Sequence, residues 1–591
     1  MSRRVTRRAQ SIVPFGVGAI VEFEDEALMA AGLEVWPTRE APRLFDQRLA
    51  ARLRVHHFLT PPPKPERGGA PGTMASLPYV RFPQWHFCPR CRWLAHADLF
   101  ALNPPRCSNQ HPSPRLRGKP PCGTIPVNRQ PRMLPLRFVV ACRQGHIDDF
   151  PWNEWVHAKA DQALEWDTGC QPPRLYFFAT KMGGLGGLLI ECATCGSRRS
   201  LMGSTSPSGV RGLRCQGKRP WLGPDGAEMC HGPMEPGGSS NLLALQRGAS
   251  NVYFPSTASS ILIPPHSSRV AQILEEPRVK EILDSERNPD DRVFEVIAKM
   301  RGVDAGQLRA AYEAIRSGAG DEIPDSEVAF RHTEYRALHE ERRDVQDLLV
   351  CRPQEVARYS DPVGNHFAHI GLVERLAETR VLTGFHRVDD AAAPPSALSL
   401  RPLGWLPAFR VHGEGIFLTV DPGRLAELPK GVERRQLDLL QRAREWGRCV
   451  LPPTVELVFL HTLAHLLIKR LAFEAGYGAS SIRERVYSAP ADSGVRMGGI
   501  LLYTAAGDAD GTLGGLVALG RPGRLEPILT RALEDAMWCA SDPICSESAG
   551  QGPGSLNLAA CHACSLLPET SCEFQNRLLD RELVKRFFAP T

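Results

Sequence analysis

The sequence predicts a multidomain α+β protein, with zinc-ribbon-like small β modules in the N-terminal half, a helical middle module and a C-terminal α/β zinc-binding domain. Three observations predict it. Cysteines gather in groups, with C-x2-C pairs at Cys88/Cys91, Cys192/Cys195 and Cys561/Cys564 among seventeen in all. Apolar residues recur at helical spacing through 270–350, as in VAQILEEPRVKEIL and LRAAYEAIRSG. The stretch VELVFLHTLAHLLI at 455–468 is apolar on nearly every side, as a helix at the centre of a core must be. With 591 residues, 42% of them hydrophobic, the chain has the material for several cores.

Residues 1–85 open with a basic tail, pass through a strand at GVGAIVEF and end in the Pro-rich linker TPPPKPERGGAPG at 60–72. Residues 86–250 read as a double zinc-ribbon region of short strands punctuated by Gly and Pro. Residues 251–350 form the helical module, whose excess of six acids between Ala271 and Val345 reads as a solvated face. In the mixed connector 351–450, AFRVHGEGIFLTV suggests two strands turning at HGEG. The last domain, 451–591, opens with a helix that starts after Pro452, Pro453 and Thr454 and stops at Gly476. It continues with a strand and tight turn in GGILLYTAAGDADG and a helix in LEPILTRALEDAM.

In a large chain with no disulfide-rich character, C-x2-C pairs favour zinc over disulfides, because two thiolates on one knuckle face one ion and two such halves close a tetrahedral site. Proximity along the chain assigns three four-thiol sets: Cys88, Cys91, Cys107 and Cys122; Cys192, Cys195, Cys215 and Cys230; and Cys545, Cys561, Cys564 and Cys572. His111 is an alternative to Cys107 or Cys122, and Cys539 to Cys545. Four thiolates leave no position for water, so such sites are structural. ACRQGHIDDFPW offers Cys142 and His146 without an obvious second pair, and reads as a strand end holding a turn. His461 and His465 stand four apart on the core helix, but Thr462 replaces the general base of H-E-x-x-H, and both read as core packing.

Signals for catalysis are absent from the sequence. No G-x-x-x-x-G-K-[ST] loop occurs: the Gly-Lys pairs at 118 and 217 are followed by Pro120 and Arg219. The expectation is a non-enzyme. No run approaches the ~20 apolar residues of a membrane span. Pro14 interrupts the apolar stretch after the basic start, and no cleavage site follows, so the reading is a cytoplasmic protein without a membrane partner.

Net charge is +6, but unevenly placed: between Cys88 and His146 ten Arg or Lys face one acid, Asp98. Arg90, Arg92, Arg115, Arg117 and Lys119 fall on the first knuckle or on the insertion between Cys107 and Cys122, which should project from the metal. They are the candidate DNA-binding residues, since clustered Arg and Lys bind phosphates without reading sequence.

Several motifs together, PFGVGAIVEF, CPRC, ACRQGHIDDFPW, KMGGLGGLLIECATC and SNVYFPSTASSILIP, make the chain resemble the DrmB family, the zinc-rich companion subunit of the helicase DrmA in bacterial DISARM anti-phage systems. The run from LHTLAHLLIK through WCASDPIC to LAACHACSLLPETSC resembles the zinc-binding domain of MrfA-type helicases, which implies a four-cysteine site at Cys545, Cys561, Cys564 and Cys572. The resemblance implies an accessory subunit that pairs with an SNF2-like helicase in a heterodimer, helps engage invading DNA and leaves ATP hydrolysis to the partner. A stand-alone zinc-ribbon nucleic-acid binder and, further off, a zinc hydrolase are the competing readings.

Overall fold

In the computed structural model, residues 2–24, 26–64, 74–114, 116, 118–158, 170, 172–206, 209–210, 212–232, 241–263, 269–274, 276–285, 289–316, 324, 326–343, 348–388, 394–504 and 514–589 are described. The chain falls into two compact units built from interleaved segments. The first comprises Met1–Leu44, Phe58–Ala258 and Val381–Phe409; the second comprises Phe45–His57, Ser259–Arg380 and Arg410–Thr591.

The first unit starts with a four-stranded antiparallel sheet in the order Ser2–Arg7, Met74–Val80, Ala27–Ala30, Ile20–Glu22. The basic start is therefore an edge strand and not a tail: Ser2 lies opposite Tyr79, and Arg4 pairs with the buried Glu26. The Pro-rich stretch leads into strand Met74–Val80 and lies within Phe58–Ala258, one continuous segment of the first unit; its residues 65–72 lie outside those described. Three small three-stranded sheets follow. Their middle strands are Trp85–Phe87, Phe138–Cys142 and Leu188–Cys192. Aromatic side chains supply much of the core behind them: Phe150 packs 4.7 Å from Trp152 and 5.4 Å from Trp155, between ring centres. Small sheets cannot bury much apolar surface by themselves, and here each of the three carries cysteines at a hairpin tip.

Among the described residues the largest sheet follows the strand path Arg342–Arg343, Leu349–Gln354, Phe367–His386, Trp405–Val420, Gly498–Thr504, Ile482–Ser488. HGEG does not turn: Trp405–Val420 is one continuous strand. Gly415 faces Tyr503 across the ladder, and a Cβ there would come within 2.7 Å of the Leu502 carbonyl, so this glycine serves close approach of two strands. The turn expected over GDADG lies outside the described residues.

The central helix is Val455–Ala475. Thr454 caps it, its hydroxyl accepting from the Leu457 amide at 3.1 Å, and Gly476 ends it at φ 68°. Leu457, Phe459, Leu460, Leu463 and Ile468 are all fully buried against Ile482, Val486, Ile500 and Leu502 of the sheet. Each such side chain contributes roughly 2 kcal/mol of burial. Helices Leu525–Ala536 and Arg581–Phe587 pack on the same core. The helical module, from Arg269–Leu274 to Ala305–Arg316, has a cluster of its own around Phe294, Ile297 and Leu308. No helix among the described residues is long and apolar enough to cross a membrane.

Candidate metal centres

Among the described residues, no disulfide joins any of the seventeen cysteines. Fourteen of them gather, with His146 and His157, into four sets whose ligand atoms lie within 4.8 Å of one another. Zinc–sulfur bonds of about 2.3 Å place the corners of a tetrahedron about 3.8 Å apart, whereas a disulfide needs about 2.05 Å. Sulfur atoms here are 3.5 Å apart for Cys91 and Cys107, 4.0 Å for Cys88 and Cys122, 3.7 Å for Cys142 and Cys215, 3.7 Å for Cys170 and Cys192, and 3.8 Å for Cys545 and Cys564. The spacing fits zinc.

Three sets in the first unit share one construction, a cysteine ending a strand and a left-handed residue starting the return. At the first tip, the Cys88 amide donates to the Trp93 carbonyl, and Arg92 adopts φ 69°. At the second, the Cys142 amide donates to the His146 carbonyl, and Gly145 adopts φ 84°. At the third, the Cys192 amide donates to the Ser197 carbonyl, and Gly196 adopts φ 80°. The chirality is what folds a short loop back so that both donors face inward.

The first set is Cys88, Cys91, Cys107 and Cys122, all buried, with His111 exposed and outside it. The insertion does not simply project. Ser113 is buried and donates to the Cys91 carbonyl at 2.7 Å, and Leu116 packs against the cysteines. Arg90 is half-buried with Nη1 3.6 Å from the Cys122 sulfur, and Arg92 is half-buried over the Phe87 ring. Both guanidinium groups are engaged in the knuckle itself. Lys119 is exposed, and Arg115 and Arg117 lie outside the described residues.

The grouping of Cys192, Cys195, Cys215 and Cys230 does not occur. Cys215 and Cys230 join Cys142 and His146, while Cys192 and Cys195 join His157 and Cys170. The cause is sheet pairing: Phe138–Cys142 is bonded to Leu242–Gln246, and Asn241 just before that strand donates to the Cys230 sulfur at 3.3 Å. Asn241 also accepts from the Cys215 amide at 3.1 Å, so one side chain gathers both cysteines. His146 presents Nδ1 3.4 Å from the Cys142 sulfur and holds Glu228 with Nε2 at 2.9 Å, the outer contact expected of a ligating imidazole. In the other set, His157 presents Nε2 3.3 Å from the Cys195 sulfur, while Nδ1 donates to the Asn153 carbonyl at 2.7 Å. His157 and Cys170 have no role in the sequence reading; the signal for them is an unassigned cysteine in a region where Cys142 and His146 stand two ligands short of a set.

The C-terminal set is Cys539, Cys545, Cys561 and Cys564, so Cys539 takes the place expected for Cys572. The Cys539 and Cys561 sulfurs are 3.4 Å apart, and the Cys561 amide donates to the Cys564 sulfur at 3.2 Å. Lys469 of the central helix donates to the Cys564 carbonyl at 2.6 Å, docking the knuckle on the core. Cys572 turns instead into the core, beside His461, His465 and Glu484.

The comparisons agree with this layout. Residues 463–565 match the MrfA Zn-binding domain, a span that contains the whole C-terminal thiol set, and residues 7–254 match a domain of unknown function, DUF8724. A curated relative from Bacillus paralicheniformis, "DISARM protein DrmB", is 31% identical over 589 residues, covering 95% of this chain and 96% of its own. The chain belongs to the DrmB family. Zinc is the cofactor that this DrmB-family chain is built around, on the matched zinc-binding domain and the geometry of its clusters. A crystal structure of the DUF1998 helicase MrfA bound to DNA aligns over 41% of this chain and 25% of that chain, at 11% identity and a TM-score of 0.19, too low to bear on the fold.

Proposed function

We propose that the protein is a non-catalytic subunit of a DISARM-type anti-phage assembly, binding an SNF2-like helicase of the DrmA type and DNA on a zinc-held scaffold. Kinship with a DISARM protein along nearly the whole chain carries this reading. The four zinc-type sets support its non-catalytic part, because each supplies four protein ligands and so leaves no open position for substrate or water. The sets that brace small sheets and an irregular C-terminal segment hold surfaces in place, which is the work of a scaffold.

Support for DNA comes from charge. Around the first set, Lys119, Arg129, Arg132 and Arg137 are exposed, and Asp98 is the one acid between Cys88 and His146. Arg90 and Arg92 are better understood as parts of the knuckle, so Arg115, Arg117 and Lys119 carry the test. Their triple alanine variant in the assembled complex should weaken DNA binding alike on any sequence and flatten the salt dependence of log K by about 0.7 to 0.9 per lost phosphate contact. An unchanged slope with full zinc content would remove the insertion from the DNA path. Support for the helicase is an exposed apolar group, Met537, Trp538 and Ile544, flanking Cys539 and Cys545. Copurification with a DrmA-type helicase tests the partnership directly, and tight DNA binding by the isolated chain would favour a stand-alone binder.

A further inference from the structure

A second polar cluster lies inside the core of the second unit, apart from the four sulfur-rich sets. His461 and His465 of the central helix, Glu484 of strand Ile482–Ser488 and Cys572 bring one ligand atom each to within 4.8 Å of one another, and all four are buried. Within apolar surroundings such a group needs a compensating charge or a complete set of hydrogen bonds.

The hydrogen bonds are incomplete in a particular way. His461 Nδ1 faces the Leu578 carbonyl at 3.2 Å, and His465 Nδ1 faces the Ser565 carbonyl at 2.8 Å. Carbonyl oxygens only accept, so each Nδ1 carries a proton, and in the neutral tautomer this leaves the lone pair on the inward-facing Nε2. His461 Nε2 lies 3.0 Å from Glu484 Oε1 and 3.1 Å from the Cys572 sulfur. His465 Nε2 lies 3.5 Å from Glu484 Oε2, and neither of these two atoms has a hydrogen-bond partner. The Cys572 sulfur accepts from the Phe574 amide at 3.3 Å and the Asn576 amide at 3.2 Å, as the sulfurs of the zinc knuckles accept backbone amides. Glu484 Oε1 accepts from the Glu573 amide at 3.1 Å. Four electron-pair donors thus converge, and these three backbone amides leave His465 Nε2 and Glu484 Oε2 without a donor.

We propose that His461, His465, Glu484 and Cys572 form a fifth metal site that takes one divalent cation of the zinc class. A dication balances one carboxylate and one thiolate, leaving two neutral imidazoles and no net charge in the core. The two Nδ1 contacts to backbone carbonyls are the outer contacts that fix imidazole orientation at metal sites. With four protein ligands and no solvent access the site is closed, and its role is to pin the central helix to the neighbouring strand and to the C-terminal segment. His461 and Cys572 fall outside the matched zinc-binding domain, residues 463–565, so this site is separate from the four-thiol set within it.

Anomalous scattering at the zinc edge from crystals of the unaltered full chain, with an energy scan to identify the element, tests the proposal. The expected result is a fifth peak between His461, His465, Glu484 and Cys572, and five metal equivalents per chain by plasma emission. Glu484→Gln keeps the shape of the side chain and removes its charge; it should lower the count from five to four and leave the sulfur-rich sets loaded. Absence of that peak from the folded, unaltered chain overturns the proposal even if Glu484→Gln does not fold, and so does a variant that retains every metal.

Discussion

Cys561→Ser should cost the chain the zinc of its C-terminal thiol set, together with any ion held through Cys572, and unfold the segment from Met537 to Asp580 while the first unit keeps its protease resistance. Between helices Leu525–Ala536 and Arg581–Phe587, one 3-10 turn, Pro553–Ser555, is the sole regular element among the described residues. Beyond one isolated antiparallel bridge between Gln551 and Asn557 that segment has no ladder, so it depends heavily on metal and on side-chain ties such as Gln551 to the Cys545 carbonyl at 3.4 Å. A structural zinc is worth on the order of 10 kcal/mol to a small module, and serine in place of one thiolate forfeits much of it. Loss also propagates: Arg581 Nη1 donates to the Ala536 carbonyl at 2.9 Å and its other nitrogen meets Asp542 inside the knuckle. Metal analysis with limited proteolysis measures both halves. A variant that retains its full zinc content, or that loses the zinc of this set and stays resistant between Met537 and Asp580, would show that packing on Lys469 and the central helix suffices.

Glu334→Ala should destabilise the second unit by roughly 3–5 kcal/mol, because it takes the two-bonded counter-charge from a buried guanidinium and leaves it only the longer contact to Glu573 at 3.4 Å. Arg485 and Glu334 are both fully buried and joined through Nη2 and Oε1 at 2.7 Å and through Nε and Oε2 at 2.5 Å. Glu334 also accepts from the Ile261 amide at 3.1 Å, and beside it Arg331 grips Glu573 with two bonds of 2.9 and 3.0 Å. This network ties helix Glu327–His339 to strand Ile482–Ser488 and to the C-terminal segment. Burial alone would raise the Glu334 carboxyl, but Arg485, Arg48 and Arg331 outweigh it and hold the group below its ordinary value of 4.5. A carboxylate depressed on folding stabilises fully above its unfolded value and loses that contribution as pH falls through the folded one, so the wild type should weaken below about pH 4.5 more steeply than the variant. The double variant Glu334→Leu/Arg485→Met should recover most of the loss, since a well-packed apolar pair often replaces a buried ion pair without cost. Denaturant unfolding decides; a single-variant loss below about 1 kcal/mol would mean that water reaches Arg485.

Local signals were legible where the chain's own chemistry decides. Thr454 and Gly476 bracket the central helix where the sequence places them, and the all-round apolar pattern of Val455–Ala475 follows from its burial between the sheet and two helices. Each C-x2-C pair does sit on a knuckle. Pairing between knuckles was not legible, because spatial order comes from strand partners: Leu242–Gln246 reaches back to Phe138–Cys142 and delivers Cys230 to a tip far upstream. Cys572 was misplaced for a related reason. It follows the CHAC knuckle closely in sequence, but Asn576 bonds Leu567 from both its oxygen and its nitrogen, and the closed loop turns the intervening sulfur toward Glu484. His461 and His465 read as packing because their surroundings are apolar in sequence, and Glu484 comes from a strand that no helical spacing could anticipate.

The cysteines of the second and third hairpin tips are nested: the chain leaves Cys142 and His146, completes the set of His157, Cys170, Cys192 and Cys195, and only then supplies Cys215 and Cys230. Closure of the outer set therefore spans a long loop, while the non-native combination of Cys192 and Cys195 with Cys215 and Cys230 spans a short one. The entropy difference is about 1 kcal/mol in favour of the wrong combination. A nascent or refolding chain that meets zinc early is expected to be captured in that register first, and to escape only by ligand exchange as the strand Leu242–Gln246 docks. Assembly yield should then depend on when metal arrives, with zinc added after collapse giving more native protein than zinc present from the start.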